Sequence, residues 1–226
     1  MKCYASSGLV IFTLIGLFFL ISDQNQNSEK IQRKSPNDWF FLQRSFPYPE
    51  INYPARNAAW MQAEAMKSES ATRGEGWVLK GPYNIGGRIS AVAMTDNDDP
   101  LTIYAGAASG GIFRSIDQGF SWEPVFDNEL SLSIGDIAIA PSDASVVWVG
   151  TGEANAGGGS MSYDGFGIYK SEDAGDTWQH TGLENSGSIG RIAVHPSDPQ
   201  TCYVAAMGRM FSNNAERGVF RTSDGG

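Results

Sequence analysis

The sequence lacks most of what other protein classes depend on. It has two cysteines, Cys3 and Cys202. Cys3 falls within the N-terminal leader, so Cys202 has no partner for an internal disulfide and reads as a buried strand residue. Basic residues number 16 against 25 acidic ones, for a formal net charge of −9. No segment clusters Lys and Arg, so the electrostatic source of nucleic-acid binding is missing. Calcium-loop spacing is missing too: TDNDDP (Thr95 to Pro100) is acidic but lacks the alternating Asp/Asn pattern and the following Glu, and reads as a turn. No metal and no cofactor is expected.

Long apolar runs are also absent, with one exception. Gly8 to Ile21 forms a 14-residue apolar stretch after Lys2 and before the polar SDQNQNSEK. That length suits the apolar region of a signal peptide and falls short of the ~20 residues of a spanning helix. Residues 1–22 are therefore read as a signal peptide or an uncleaved N-terminal anchor. The protein is expected to be exported, secreted or held at the cell surface, with membrane contact only through that segment.

What the chain does contain is apolar residues at 41%, aromatics at 12%, and 27 glycines scattered among short apolar runs. Tight turns between short strands follow, and the class is all-β. Residues 23–76 form an extension, aromatic and proline-punctuated over NDWFFLQRSFPYP and then alanine-rich. Ala55 to Ser68 is predicted as one short helix carrying Trp60, Met61 and Ala65. The extension is read as a strap packed on the main domain.

From Trp77 to Gly226 the sequence repeats. GGIFRSIDQGFSW (Gly110 to Trp122), FGIYKSEDAGDTW (Phe166 to Trp178) and RGVFRTSDGG (Arg217 to Gly226) share an aromatic, a basic residue and then S/T-x-D-x-G. The marker aspartates Asp117, Asp173 and Asp224 lie 56 and 51 residues apart, about the length of one four-stranded propeller blade. Upstream of each lies a turn and a β-branched run, DPLTIYAG, DASVVWVG and DPQTCYVA. Before those come AVAM, DIAIA and RIAV, short apolar strands expected to be innermost. The prediction is a partial β-propeller over 77–226 of about three four-stranded blades, expected to be part of a larger ring.

These segments resemble the Asp-box or BNR repeats of sialidases, xyloglucanase-like hydrolases and the sortilin (Vps10) N-terminal domain. The leader, NDWFFLQRSFP and WVLKGPYNIGGRISAVA together are similar to the opening of large exported BNR-repeat proteins of Bacteroidetes-type bacteria. The resemblance implies that each box is a turn between third and fourth strands, away from the usual active-site face. In the box, Ser115, Asp117, Gly119 and Trp122, and likewise Ser171, Asp173, Gly175, Trp178 and Asp224, are structural. The aspartate accepts hydrogen bonds from turn N–H groups, the glycine permits positive φ, and the tryptophan packs beneath.

Function is sought in loop length. The strand-start aspartate and the box aspartate stand 18, 30 and 26 positions apart, so relative to the first repeat the second and third carry insertions of 12 and 8 residues. Insertions in a repeat protein emerge on one face, often the binding face. Glu153, Asn155, Tyr163, Asp164 and Arg209, with Asn213 beside them, are candidate ligand contacts; solvated loops shaping the contacts between repeats are the plainer alternative. Arg88, Asp136 and Arg191 open the innermost strands at similar positions and are expected to approach one another, either as ion pairs between blades or to recognise an acidic ligand.

Two functions remain open at this level. One is a non-catalytic propeller binding an extracellular glycan or protein ligand. The other is a glycoside hydrolase of the xyloglucanase- or sialidase-like type. Xyloglucanase-like enzymes carry a catalytic aspartate in a motif similar to YARTDIGGAYR, where this chain has YAGAASGGIFR (Tyr104 to Arg114). Ala108 stands at the carboxylate position and can neither take nor give a proton. No catalytic residue is assigned.

Overall fold

A computed structural model describes residues 38–70, 86–96, 101–154 and 163–226. The leader, residues 77–85, Asp99 and Asn155 lie outside the described residues. Contacts divide the chain into a unit ending at Phe40 and a second from Phe41 to Gly226. Of the first unit only residues 38–40 are described. No helix among the described residues is long and apolar enough to cross a membrane.

Two helices precede the strands. α1 spans Asp38–Ser45 and α2 spans Tyr53–Ser70. The sequence reading missed α1, because its aromatic run carries no helical periodicity; DWFFLQRS nonetheless contains no Gly or Pro, and Pro47 halts it. α2 extends two residues beyond the predicted Ala55–Ser68 at each end. Its start is set by Asn52, whose Oδ1 accepts the Ala55 backbone N–H at 3.0 Å. Pro54 sits in the first turn, where a missing N–H costs no intrahelical bond. On the strand side, Trp60 meets the Phe166 ring edge-on, with centroids 6.2 Å apart.

Eleven strands follow among the described residues: β1 (Ile89–Met94), β2 (Ile103–Ala107), β3 (Ile112–Ser115), β4 (Glu123–Pro124), β5 (Ile134–Ala140), β6 (Asp143–Thr151), β7 (Ile168–Ser171), β8 (Gln179–Gly182), β9 (Ile189–His195), β10 (Asp198–Ala206) and β11 (Gly218–Thr222). They form three antiparallel meanders, β1 to β4, β5 to β8 and β9 to β11. The protein is all-β, with few helices. AVAM, DIAIA and RIAV are the first strands of the three sheets, and β1 packs on β5 as β5 packs on β9.

Register explains how the sheets nest. Gly106, Gly150 and Ala205 occupy the same position near the end of each second strand, opposite Ala91, Asp136 and Arg191. Ile134 and Ile189, both fully buried, open the next sheet and lie against Gly106 and Gly150 respectively. A Cβ on Gly106 would stand 2.6 Å from Ile134 Cγ2, and one on Gly150 would run into Ile189 Cγ2. Each glycine is thus a socket for the branched side chain that begins the following sheet. Ser90 adds a hydrogen bond across the first seam, its Oγ donating to the Ile134 carbonyl at 2.6 Å.

The core follows the seams. One cluster gathers Tyr104, Ile112, Phe126, Ile134, Val147, Val149 and Tyr169 between the first two sheets. The other gathers Trp148, Ile168, Ile189, Ile192, Cys202 and Val204 between the second and third. Cys202 is buried in β10, and burial pushes its thiol up to about 11.

The S/T-x-D-x-G turns close the β3–β4 and β7–β8 hairpins. Ser115 Oγ donates to Asp117 Oδ1 at 2.8 Å, while the N–H groups of Gly119 and Ser121 donate to Ser115 Oγ and Asp117 Oδ1, both at 2.8 Å. Ser171, Asp173, Gly175 and Thr177 repeat this at 2.7 to 2.8 Å. Thr222 Oγ1 likewise donates to Asp224 Oδ1 at 2.7 Å. Gly119 and Gly175 have φ near +90°, as the turn requires, and so adopt a conformation that costs glycine little. The two tryptophans differ. Trp178 reaches back to the first sheet, donating from Nε1 to the Val125 carbonyl at 2.8 Å and stacking edge-on with Phe126. Trp122 donates to its own turn at the Gly119 carbonyl and stays 44% exposed. The first sheet holds the second turn from the other side: Tyr104 Oη and Arg114 Nη1 both donate to the Ala174 carbonyl at 2.7 Å.

Two outcomes follow. Gly150→Ala is expected to destabilise the fold by about 1–3 kcal/mol through overpacking, and combined with Ile189→Ala to cost less than the two changes summed; midpoints of denaturant unfolding across this double-mutant cycle measure it. Hydrogen bonding within the turns holds the carboxyls of Asp117 and Asp173 down at about 2. Their stabilisation is therefore complete above the ordinary carboxylate range and is lost as pH falls through about 2. Melting temperatures followed by circular dichroism from neutral to acid pH should fall less steeply below about pH 4 in the Asp117→Ala/Asp173→Ala variant than in the parent.

Candidate functional site

Antiparallel meanders separate two ends. The box turns, with Asp117, Asp173 and Asp224, lie at the end where each first strand finishes. The loops after β2, β6 and β10 lie at the other end, together with the starts of β1, β5 and β9. Arg88, Asp136, Glu153, Tyr163, Asp164, Arg191 and Arg209 all belong to this loop end. The backbone there is tightly tied: Gly152 N donates to the Ser133 carbonyl at 2.7 Å, Gly165 N to the Gly187 carbonyl at 2.6 Å, and Met207 N to the Ser188 carbonyl at 2.8 Å.

Arg88, Asp136 and Arg191 do not form one group. Asp136 and Arg191 share a register position, and its counterpart in β1 is Ala91. Arg88 precedes Ile89 as Ser133 precedes Ile134 and Ser188 precedes Ile189, so the sequence alignment that grouped the three was shifted. The same irregularity follows Ile89, Ile134 and Ile189, so the three first strands match without a gap. Asp136 is 7% exposed and accepts the Ile192 backbone N–H at 2.7 Å, with Arg191 Nη1 at 3.8 Å. It is a strut between the second and third sheets. Burial raises its carboxyl above the usual range, against the opposing pull of the Ile192 N–H and Arg191. Arg88, half-exposed, instead pairs with Glu153, which is buried. The Glu153 backbone N–H donates to Ser133 Oγ at 3.1 Å.

Tyr163, Asp164 and Arg209 come together with the helices. Arg56, from the first turn of α2, donates from Nη1 to Asp164 Oδ2 at 3.2 Å. Its guanidinium lies 4.5 Å from the centre of the Trp60 ring and 4.8 Å from that of Tyr53. Arg209 covers the Tyr53 ring at 3.7 Å and donates to Asn185 Oδ1 at 2.9 Å. The Tyr53 ring, 2% exposed, thus joins α2 to the loop after β10. Burial and the neighbouring Asp164 push its hydroxyl well above the ordinary range. Arg209 is lowered, by burial first and also by Arg56.

Beside this junction lies a cavity of about 370 Å³, lined by Arg44, Tyr48, Asn52, Arg56, Trp60, Tyr163, Asp164 and Phe211, among others. The Arg44 guanidinium stands 5.8 Å from the Tyr163 ring centre and 5.6 Å from that of Phe211. Loop residues predicted from insertion length supply one wall. The other wall comes from the strap, which sequence reasoning treated as packing alone. Its crowding of Arg and aromatic residues over RSFPYPEINYPARNAAW is the signal that points to it. In the loop after β10 the organising residue is Asn214, one beyond the predicted Asn213: its Oδ1 accepts the Arg209 N–H at 3.0 Å and its Nδ2 donates to the Asn185 carbonyl at 2.8 Å.

No family model matches the sequence, and no curated protein matches it. Among solved structures, the chain is similar to the GH74 enzyme of Niastella koreensis, at 21% identity over 53% of this chain and 18% of that one, with a TM-score of 0.39. An ancestral GH74 enzyme gives 20% identity over 52% and 16%, with a TM-score of 0.38. The GH74 xyloglucanase from Xanthomonas campestris gives 19% identity over 62% and 20%, with a TM-score of 0.41. The chain spans no more than 20% of the length of any of these three glycoside hydrolases.

Proposed function

We propose that the three sheets are successive blades of an exported β-propeller whose loop end binds an extracellular glycan. The observation that carries this reading is the cavity between strap and loops. Its size suits a small ligand, Tyr48, Trp60, Tyr163 and Phe211 offer flat apolar walls, and Arg56, Asp164 and Asn52 add hydrogen-bonding groups. A sugar ring has the matching surface, an apolar face edged by hydroxyls. Binding without cleavage is the better-supported form, because Asp164 is engaged by Arg56 and the motif position expected to hold a catalytic acid is Ala108.

A second reading, glycoside hydrolysis, follows from the resemblance of the repeats to those of xyloglucanase-like enzymes. Titration of the protein with a panel of neutral and charged plant and bacterial oligosaccharides, followed by calorimetry, tests both readings. Saturable binding without release of reducing ends is expected, weakened about tenfold by Tyr163→Ala through loss of ring stacking. Release of reducing ends would establish the second reading, and binding by none of the panel would overturn both.

A further inference from the structure

A half-buried histidine, His180 of β8, lies beneath the seat of the strap. α2 rests on the sheets through Trp60, whose ring meets that of Phe166 edge-on at 6.2 Å. Phe166 in turn lies against the His180 imidazole, with centroids 4.9 Å apart and planes tilted by 39°. Tyr169, the partner of His180 across β7 and β8, meets the same imidazole edge-on at 5.2 Å. Both Phe166 and Tyr169 are buried, and Trp60 packs against the cluster they belong to. One imidazole therefore stands a single ring away from the helix.

Nε2 of His180 is buried and has no hydrogen-bond partner among the described residues. A neutral imidazole tolerates this, because one of its ring nitrogens carries only a lone pair. An imidazolium does not, since both nitrogens then carry protons and the second N–H would be buried unanswered. Burial accordingly holds the ionisation of His180 below its ordinary value, against Glu184 on the turn after β8 and the Phe166 backbone, which both favour the proton. Two further carboxylates act on the neighbouring Tyr169: Glu129, from the connection between β4 and β5, and Glu64, from α2. On the helix, Arg56 lies over Trp60 at 4.5 Å.

We infer that His180 is an acid-sensitive latch for the strap: while neutral it supports Phe166 from below, and on taking up a proton it turns toward water, releases Phe166 and so unseats Trp60 and α2. Trp60 and Arg56 wall the cavity, so unseating the helix opens that wall and frees whatever the cavity holds. The docked strap binds the proton less well than the undocked one. Docking is therefore fully supported above the ordinary histidine range and weakens as pH falls from there through the lowered value. This device goes beyond glycan binding and does not depend on it.

The chain has two histidines, His180 and the exposed His195, so nitrogen NMR of the full chain follows each imidazole separately. Spectra are recorded between about pH 7 and pH 5, beside hydrogen exchange of the α2 amides corrected for intrinsic rates. Opening of α2 is expected to rise in step with protonation of His180, by at most about tenfold per pH unit, the limit for one proton. His180→Phe and His180→Gln should each leave α2 exchange flat over that range, while His195→Gln should leave the rise as it is. The parent protein decides the matter even where a variant fails to fold: if His180 takes its proton while α2 stays protected, or α2 opens while His180 is still neutral, the latch is overturned. A rise that persists in a folded His180 variant overturns it as well.

Discussion

A branched side chain seated on a glycine is the contact on which the remaining architecture depends. Ile134 on Gly106 and Ile189 on Gly150 bring the first strand of one sheet against the second strand of the sheet before it. The hydrophobic gain from burying each isoleucine completely is of the order of 2 kcal/mol, yet its larger role is geometric. A methyl group at the socket would hold the sheets apart, and the buried Tyr104, Phe126 and Tyr169 between them would lose their close packing. Once the sheets nest, polar contacts lock them from both ends: Ser90 to Ile134, Asp136 to Ile192, and Tyr104 with Arg114 to Ala174.

The nesting also divides labour along each sheet. At one end the same hydrogen-bonded turn recurs, built from Ser115 and Asp117, Ser171 and Asp173, or Thr222 and Asp224. At the other end the loops differ in length and content, and there the strap helix enters through Tyr53 and Arg56. Repetition serves assembly, while the departures from repetition gather the aromatic and charged groups around one cavity.

Much of this was legible in the residues. The periodic S/T-x-D-x-G turns, the β-branched runs and the loop insertions located three sheets and the end at which the longer loops collect. Three features were not legible, each for a physical reason. The first sheet carries Ala91 where the next two carry Asp136 and Arg191, so Arg88, three positions earlier, seemed their equivalent. The α1 segment has too short and too aromatic a run to show helical periodicity. The cavity joins residues more than a hundred positions apart, Arg56 with Asp164, and no local pattern encodes that meeting. Asn155 and the leader lie outside the described residues.

The seam has a direction. Sheets offer an isoleucine on the leading side and a socket on the trailing side, and the third sheet's socket position is Ala205. Each sheet thus meets its neighbours through two different surfaces, a knob on one side and a socket on the other, which is a head-to-tail arrangement. At Ala205 a methyl group occupies the place that Gly106 and Gly150 leave open, so a sheet seated there cannot repeat the isoleucine contact unchanged.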